Sequence, residues 1–235
     1  MDPASYDSAL SMRTLLSSAQ STPAVFREAL TRVPPLERDA WLDLALGIEG
    51  VPDDGPELPR GCVPYLPCPV DALVRAVDLA GVQATDVFVD VGSGVGRAAI
   101  VAHLLTGAAA IGLEIQRALV LESRELTRRL GVSRFNAVEG DAVSLTGYVM
   151  IGSVLFLYCP FSGARLEKVL TDLEVLARTR TIHICCVDLE LPSRPWLTLV
   201  SPRSHDLAVY RSTLTASAAS SATAPAAPPA TRCST

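Results

Sequence analysis

The apolar positions of this chain follow two alternating patterns. Short continuous apolar runs, such as 108–113, 153–158 and 181–187, are typical of strands buried on both faces of a parallel sheet. Between them, longer stretches repeat apolar residues every three or four positions, which predicts helices packed on that sheet. Counting a final hairpin over about 196–211, the alternation predicts an α/β fold with a seven-stranded, mostly parallel sheet and helices on both faces.

The first 60 residues have a different pattern from this core. Residues 1 to about 20 are small and polar, so we expect them to be loosely ordered. Thr22-Pro23 is a good helix start, with threonine as the cap and proline in the first turn, and a short helix to about Leu30 should follow. A second helix is expected over 36–46, with Leu36 on its apolar face. We interpret this pair as a small helical extension without chemistry.

The composition of the last residues divides the chain further. From about Ser212 onward the residues are mainly Ala, Ser, Thr and Pro, which cannot bury a core and predict disorder. We therefore expect a helical extension and linker over 1–60, a main domain over 61–212 and a disordered tail over 213–235.

The stretch that organises the main domain is Asp86-Val-Phe-Val-Asp-Val-Gly-Ser-Gly-Val-Gly-Arg97. An apolar strand leads directly into three glycines, Gly92, Gly94 and Gly96, and an apolar helical pattern follows them. Strand, glycine turn and helix form the opening unit of a nucleotide-binding, Rossmann-like sheet.

The spacing of the glycines restricts the ligand. A dinucleotide fingerprint reads G-x-G-x-x-G, but here the third glycine comes one residue early and Arg97 takes its place. Asp90 precedes the first glycine by two residues, where a carboxylate would repel a pyrophosphate and hold an ammonium group. S-adenosylmethionine has such a group and no phosphate. We therefore expect Asp90, Ser93 and the three glycines of the turn to bind this cofactor.

Two further acids follow predicted strands. Glu114 ends the second strand about twenty residues after the glycines, where an acid can accept both ribose hydroxyls. Asp141 follows the third strand. With these residues, the D-x-G-x-G-x-G run resembles motif I of the class I (seven-β-strand) S-adenosylmethionine-dependent methyltransferases. The resemblance implies that Asp141 takes a hydrogen bond from the adenine amino group.

The amino-acid sequence of the motifs from about Gly61 to Asp141 is most similar to that of the non-SET histone-lysine methyltransferases. Residues 61–69 resemble the tyrosine-and-proline segment that precedes the core in those enzymes, which implies that Tyr65 crosses the cofactor cleft. A rigid surface turn with a packed tyrosine is an equal alternative. Those enzymes carry Asn-Asn-Phe after the fourth strand, whereas this chain has Tyr158-Cys-Pro-Phe161. The resemblance therefore extends to the cofactor and not to the methyl acceptor.

The residues after strands four and five are the candidates for the acceptor end. Enzymes that methylate adenine or glutamine carry Asn/Asp-Pro-Pro-aromatic after strand four, so the change to Tyr158-Cys159 argues against such acceptors. Tyr158 is the candidate catalytic residue, by its hydroxyl or by a cation–π contact, unless it is only a packed aromatic residue. Asp188 or Glu190 is either a base or a solvated carboxylate. We expect direct in-line transfer to an amine, of a protein lysine or a small metabolite.

Other functions stay open on the sequence alone. An NAD or nucleotide-sugar enzyme is opposed by the early Gly96 and by Asp90, and a non-catalytic binding module with this fold is the remaining alternative. A net charge of -5 without a basic cluster makes a nucleic-acid partner unlikely. The six cysteines form no C-x-x-C pair and have no histidine at metal-ligand spacing, which predicts no metal and a reducing cytoplasm.

Residues 142–164 lack charged side chains and are long enough to span a membrane. Ser, Thr, Gly and Pro interrupt them, however, so we predict a polar turn followed by a buried strand and no membrane association. The acceptor and the oligomeric state stay open.

Overall fold

The computed structural model of the protein describes residues 1–53, 55, 58, 59, 61–202, 204 and 206–213. Its strands are β1 Val87–Val91, β2 Ala109–Glu114, β3 Phe135–Glu139, β4 Val154–Tyr158, β5 His183–Val187, β6 Leu197–Leu199 and β7 Leu207–Ser212. Its α-helices are α1 Pro3–Ser17, α2 Pro23–Arg32, α3 Arg38–Leu46, α4 Val70–Ala80, α5 Arg97–Thr106, α6 Arg117–Leu130, α7 Thr146–Val149 and α8 Gly163–Ala177, with a 3-10 turn over Pro35–Glu37 before α3.

The seven strands form one sheet in the order β3-β2-β1-β4-β5-β7-β6. β1 to β5 are parallel to one another, and β7 pairs antiparallel with both β5 and β6. The order reverses between β1 and β4, and ligands bind in open α/β sheets at such a switch point, beyond the carboxyl ends of the strands. The predicted fold class is therefore confirmed.

Each face of the sheet is covered by its own apolar cluster. One cluster joins residues of α1 to α6 to the side chains that β1 and β4 direct to that face, including Phe88 and Phe156. The other joins α8 to the alternate residues of the same strands, among them Val89 and Leu155. Period-two alternation thus buries the strands on both sides, as their continuous apolar runs predict.

The N-terminal region is more ordered than its composition predicts. Residues 3–17 form a helix whose first turn is capped by Asp2, which accepts the Ser5 N–H at 2.7 Å. Ala9, Met12 and Leu16 are buried at helical spacing in the first apolar cluster. The expectation of loose order was wrong because three well-spaced apolar residues suffice when a neighbouring helix covers them.

The second prediction for this region was partly wrong. A helix is present, but the chain forms a 3-10 turn up to Glu37 and α3 begins only at Arg38. Leu36 is therefore fully exposed, at 101%, and Leu42 and Leu46 join Trp41 on the buried face instead. The helix beginning at Thr22-Pro23 is confirmed, and the Thr22 side chain accepts the Val25 N–H.

Two further predictions concern a membrane span and the C-terminal tail. In the part of the chain that the model describes, no helix is long and apolar enough to cross a membrane. Residues 142–164 instead contain α7 and β4. The predicted disordered tail lies outside the described residues from position 214 onward.

Candidate functional site

A cleft of about 270 Å³ lies beyond the carboxyl ends of the five parallel strands, β1 to β5. The loops that follow these strands line one side, and the segment 61–69, which precedes α4, contributes the opposite side. Of the predicted site residues, five line this cleft: Tyr65, Gly92, Glu114, Asp141 and Tyr158. The structure therefore brings together residues that lie almost a hundred positions apart in the sequence.

The glycine turn connects β1 to α5 in a conformation that requires glycine. Gly92, Gly94 and Gly96 have φ values of 80°, 55° and 80°, in the left-handed region. A Cβ on Gly92 would lie 2.8 Å from Pro160, and one on Gly94 would overlap the ring of Tyr65. Gly96 caps α5, so the early third glycine ends the turn and Arg97 begins the helix. The turn is thus a backbone surface approached closely on one side by Tyr65 and Pro160.

Asp90 lies in β1 one residue before the end of the strand and is only 3% exposed. Burial and, to a smaller extent, the nearby Glu114 carboxylate raise the pKa of Asp90 to about 7. Ser93, within the turn, is also buried, at 4% exposure. Neither Asp90 nor Ser93 lies on the cleft wall, and the same holds for Gly94 and Gly96. Their predicted contact with a cofactor stays a prediction.

Glu114 is the last residue of β2 and is 7% exposed. Its Oε2 accepts the Gly94 N–H and its Oε1 accepts the Gln116 N–H, each at 2.8 Å. These two bonds fix the carboxylate between the glycine turn and the start of α6, with both oxygens at the edge of the cleft. A carboxylate oxygen accepts more than one hydrogen bond, so the geometry allows two hydroxyl groups of a ribose.

Asp141 follows β3 and lines the same cleft. Its Oδ1 accepts the Val143 N–H at 3.0 Å, and its Oδ2 forms an ion pair with Arg165 of α8. Arg165 also lines the cleft, and the sequence analysis missed it. Among the described lining residues it is the single lysine or arginine, and its charge is paired, so the cleft retains acidic character.

The segment 61–69 closes the cleft from the side of α4. Its first part is fixed to the loop after β4, because Cys62 pairs with Phe161 in a β-bridge and Val63 N–H donates to the Pro160 carbonyl at 3.3 Å. Tyr65 is half-buried against Gly94, and burial raises its pKa. Tyr65 thus lies in the cleft lining against the glycine turn, and its crossing of a cofactor cleft stays a prediction.

The other end of the cleft is formed by the residues that follow β4 and β5. Cys159 and Asp188 have φ values of 42° and 48°, and they are two of three non-glycine residues with positive φ in the described chain. Such strain is concentrated at functional sites, so these two residues are candidates for a functional role. Burial and then the charge of Asp188 raise the pKa of Tyr158, which keeps its hydroxyl protonated at neutral pH.

Glu190 lies apart from this cleft. It lines a second depression of about 530 Å³ at the β6–β7 hairpin, together with Leu189 and Tyr210. Of the two acids considered after β5, only Asp188 is therefore placed to reach the main cleft. No group of described His, Cys, Asp and Glu residues has the arrangement of a metal site.

The residues present fit S-adenosylmethionine. The turn has no room for a side chain where Tyr65 approaches Gly94. The acids Glu114 and Asp141 both line the cleft, and no phosphate-binding cation is free among the described lining residues. Such a lining suits a cationic nucleoside better than a dinucleotide.

Solved structures with this fold include methyltransferases. An RNA methyltransferase from Salinibacter ruber, in complex with S-adenosyl-L-homocysteine, is 26% identical and covers 63% of this chain and 94% of its own, with a TM-score of 0.50. A candidate methyltransferase, YhhF, from Escherichia coli is 21% identical, with coverages of 69% and 91% and the same TM-score of 0.50. A candidate caffeoyl-CoA O-methyltransferase from Staphylococcus aureus is 9% identical, with coverages of 64% and 86% and a TM-score of 0.50.

No protein-family model and no curated protein sequence matches the chain. The structural likenesses show the class I methyltransferase fold, and the complex with S-adenosyl-L-homocysteine agrees with S-adenosylmethionine as the cofactor. None of these three structures is a histone-lysine enzyme, so the nearer resemblance to that type is not supported.

Proposed function

We propose that this protein is an S-adenosylmethionine-dependent methyltransferase that transfers the methyl group directly to an amine of a protein or of a small metabolite. The observation that supports it most is the single cleft at the sheet switch point, lined by Glu114, Asp141 and the start of the glycine turn. Each of these three features is weak evidence in the sequence, but in this cleft all three would contact one ligand.

Each part of the cofactor has a matching group in this cleft. The backbone of the glycine turn, with Asp90 beneath it, would hold the methionine moiety, Glu114 the ribose hydroxyls and Asp141 the adenine amino group. When bound, S-adenosylmethionine supplies an electrophilic methyl group. The chain has then to align the acceptor and exclude water, and alignment alone contributes roughly 7–11 kcal/mol.

The acceptor end of the cleft favours an amine. It combines the rings of Tyr65 and Tyr158 with the exposed carboxylate of Asp188, and a protonated amine is attracted by both kinds of group. Because the pKa of Tyr158 is raised, its hydroxyl orients the amine and does not remove its proton. The amine would lose that proton to Asp188 or to water before transfer. In the transfer the new N–CH₃ bond would replace the S–CH₃ bond, and the cofactor would leave as a neutral thioether. The cytoplasm stays the expected compartment.

Ligand binding tests the cofactor. Calorimetric titration should show binding of S-adenosylhomocysteine and none of NAD. Glu114→Gln should weaken this binding at least tenfold and destabilise the fold by about 1–3 kcal/mol, because the new NH₂ group faces a buried N–H donor. The matched control is Glu139→Gln, since Glu139 pairs with Glu114 in the sheet register but is exposed. Binding of NAD alone would contradict the proposal.

Transfer of a tritiated methyl group into a cell extract tests the acceptor. We expect label in protein that is removed by protease and stable to nuclease, or label in a small cationic amine. Label released by ribonuclease would contradict an amine acceptor and favour RNA. Binding of S-adenosylhomocysteine without label in any fraction would favour the non-catalytic module.

A further inference from the structure

Arg97 has a role that its place in the sequence does not explain. It is the first residue of α5, directly after the glycine turn, yet its side chain is only 4% exposed. A buried guanidinium needs several hydrogen-bond acceptors to offset the loss of water. The identity of those acceptors shows what the residue connects.

Two segments supply the acceptors. Arg97 Nε donates to Asp43 Oδ1 at 2.7 Å and Nη2 donates to Asp39 Oδ1 at 2.7 Å, and both carboxylates belong to α3. Nη1 donates to the carbonyl oxygen of Cys68 at 2.5 Å. Burial alone would lower the pKa of Arg97, but the two carboxylates more than offset it, so the group stays charged. Arg97 therefore joins the glycine turn to α3 and to the segment 61–69.

The Cys68 contact completes a second anchor for that segment. At its beginning, the segment is bonded to the loop after β4 through Val63 and through the Gly61 carbonyl, which accepts the Ser162 N–H at 3.1 Å. At its end, Arg97 holds the Cys68 carbonyl, and Asp39 accepts the Val70 N–H at 3.0 Å. Tyr65 lies between the two anchors, against Gly94.

We propose that Arg97, with Asp39 and Asp43, is a positioning residue that holds the segment 61–69, and with it Tyr65, against the glycine turn. Two carboxylates of the N-terminal helices thus belong to the cofactor site without lining the cleft. The effect on cofactor affinity depends on the proposed function, whereas the effect on the position of the segment does not.

Hydrogen exchange of the protein without ligand tests whether Arg97 holds the segment 61–69 in place. Arg97→Met removes the charge and the Cys68 contact, and should increase exchange in 61–69 at least tenfold. The matched control is Arg38→Met, because Arg38 of α3 pairs with Asp71 of α4 at 2.7 Å and does not contact the segment. It should leave exchange in 61–69 unchanged. Where Arg97→Met does not fold, Asp43→Asn should give a smaller increase in the same residues. Unchanged exchange of residues 61–69 in both Arg97→Met and Asp43→Asn would overturn the proposal.

A double-mutant cycle tests whether Arg97 affects cofactor binding through Tyr65. Arg97→Met should weaken S-adenosylhomocysteine binding at least tenfold at a temperature where it is folded, whereas Arg38→Met should lower the Tm and change the Kd less than twofold. In a Tyr65→Ala background, Arg97→Met should add less than threefold, since the effects of coupled residues are not additive. Full additivity, or an equal loss with Arg38→Met, would overturn the proposal. A wild-type protein that binds no S-adenosylhomocysteine would instead contradict the proposed function, and hydrogen exchange would still decide the position.

Discussion

The two ends of the cleft are built differently. At the ends of β1 to β3, the acids are fixed by backbone N–H groups, as Glu114 is by Gly94 and Gln116, and the turn beside them is shaped by left-handed glycines. At the ends of β4 and β5, Cys159 and Asp188 adopt left-handed conformations as non-glycine residues, and Asp188 is exposed. The first end is a rigid backbone surface, whereas the second is formed by side chains at the rim.

This difference suits the two ends of the cleft to two different ligands, the cofactor and the methyl acceptor. A backbone surface suits a ligand that does not change, because its geometry depends little on the surrounding side chains. A rim of side chains can be adapted to different acceptors on the same fold. We therefore assign the cofactor to the rigid end and the specificity to the rim, and the following experiments test that assignment.

The largest effect should come from the buried acid at the rigid end. In the unfolded chain Asp90 ionises near pH 4, but in the folded protein it does so only at about 7. The folded state binds more protons in this window, so stability is full below pH 4 and falls as the pH rises to 7, by about 4 kcal/mol. Urea denaturation at pH 4 and pH 8 measures this loss, and Asp90→Asn should remove most of it. Parallel pH dependence in the two proteins would show that Asp90 is not the cause.

A smaller effect should follow from Gly94→Ala. Its left-handed φ costs about 1–3 kcal/mol for a residue with a Cβ, and that atom would also displace Tyr65. We expect destabilisation of this size and a loss of S-adenosylhomocysteine binding of more than tenfold. Gly131→Ala is the control, since Gly131 has a similar φ of 63° with no described atom within 4 Å of the added Cβ. Equal affinities of the two variants would argue against a rigid cofactor end.

The smallest effect should occur at the rim. Asp188→Asn removes one exposed charge, so the KM for the labelled acceptor fraction should rise about two- to fivefold, because exposed ion pairs are weak. The Kd for S-adenosylhomocysteine should not change. Glu190→Gln, in the separate depression, is the control for both quantities. A changed cofactor Kd in Asp188→Asn would remove the distinction between the two ends.

The rigid end was largely predictable from sequence, because its signals are local. The glycine spacing gives the turn, and the positions of Glu114 and Asp141 after apolar runs place them at the sheet edge. The contacts that support this end are not local: Arg97 pairs with carboxylates 54 and 58 positions away, and Arg165 lies 24 positions from Asp141. The periodicity of apolar residues does not predict ion pairs between such distant positions.

The N-terminal helices were harder to predict for a similar reason. Ala9, Met12 and Leu16 have helical spacing, but serines and threonines surround them and lower the intrinsic helix propensity. Their burial comes from partners elsewhere in the chain, as α1 packs on α3. Tertiary contacts thus outweigh local composition in this region.

The ring contact between Phe26 and Trp41, with centroids 6.1 Å apart, belongs to the same apolar cluster as Ala99 and Ile100 of α5. The helical extension consequently has no separate interior, and melting it would uncover the helix that follows the glycine turn. We therefore expect the first 46 residues to unfold together with the sheet, in one cooperative transition.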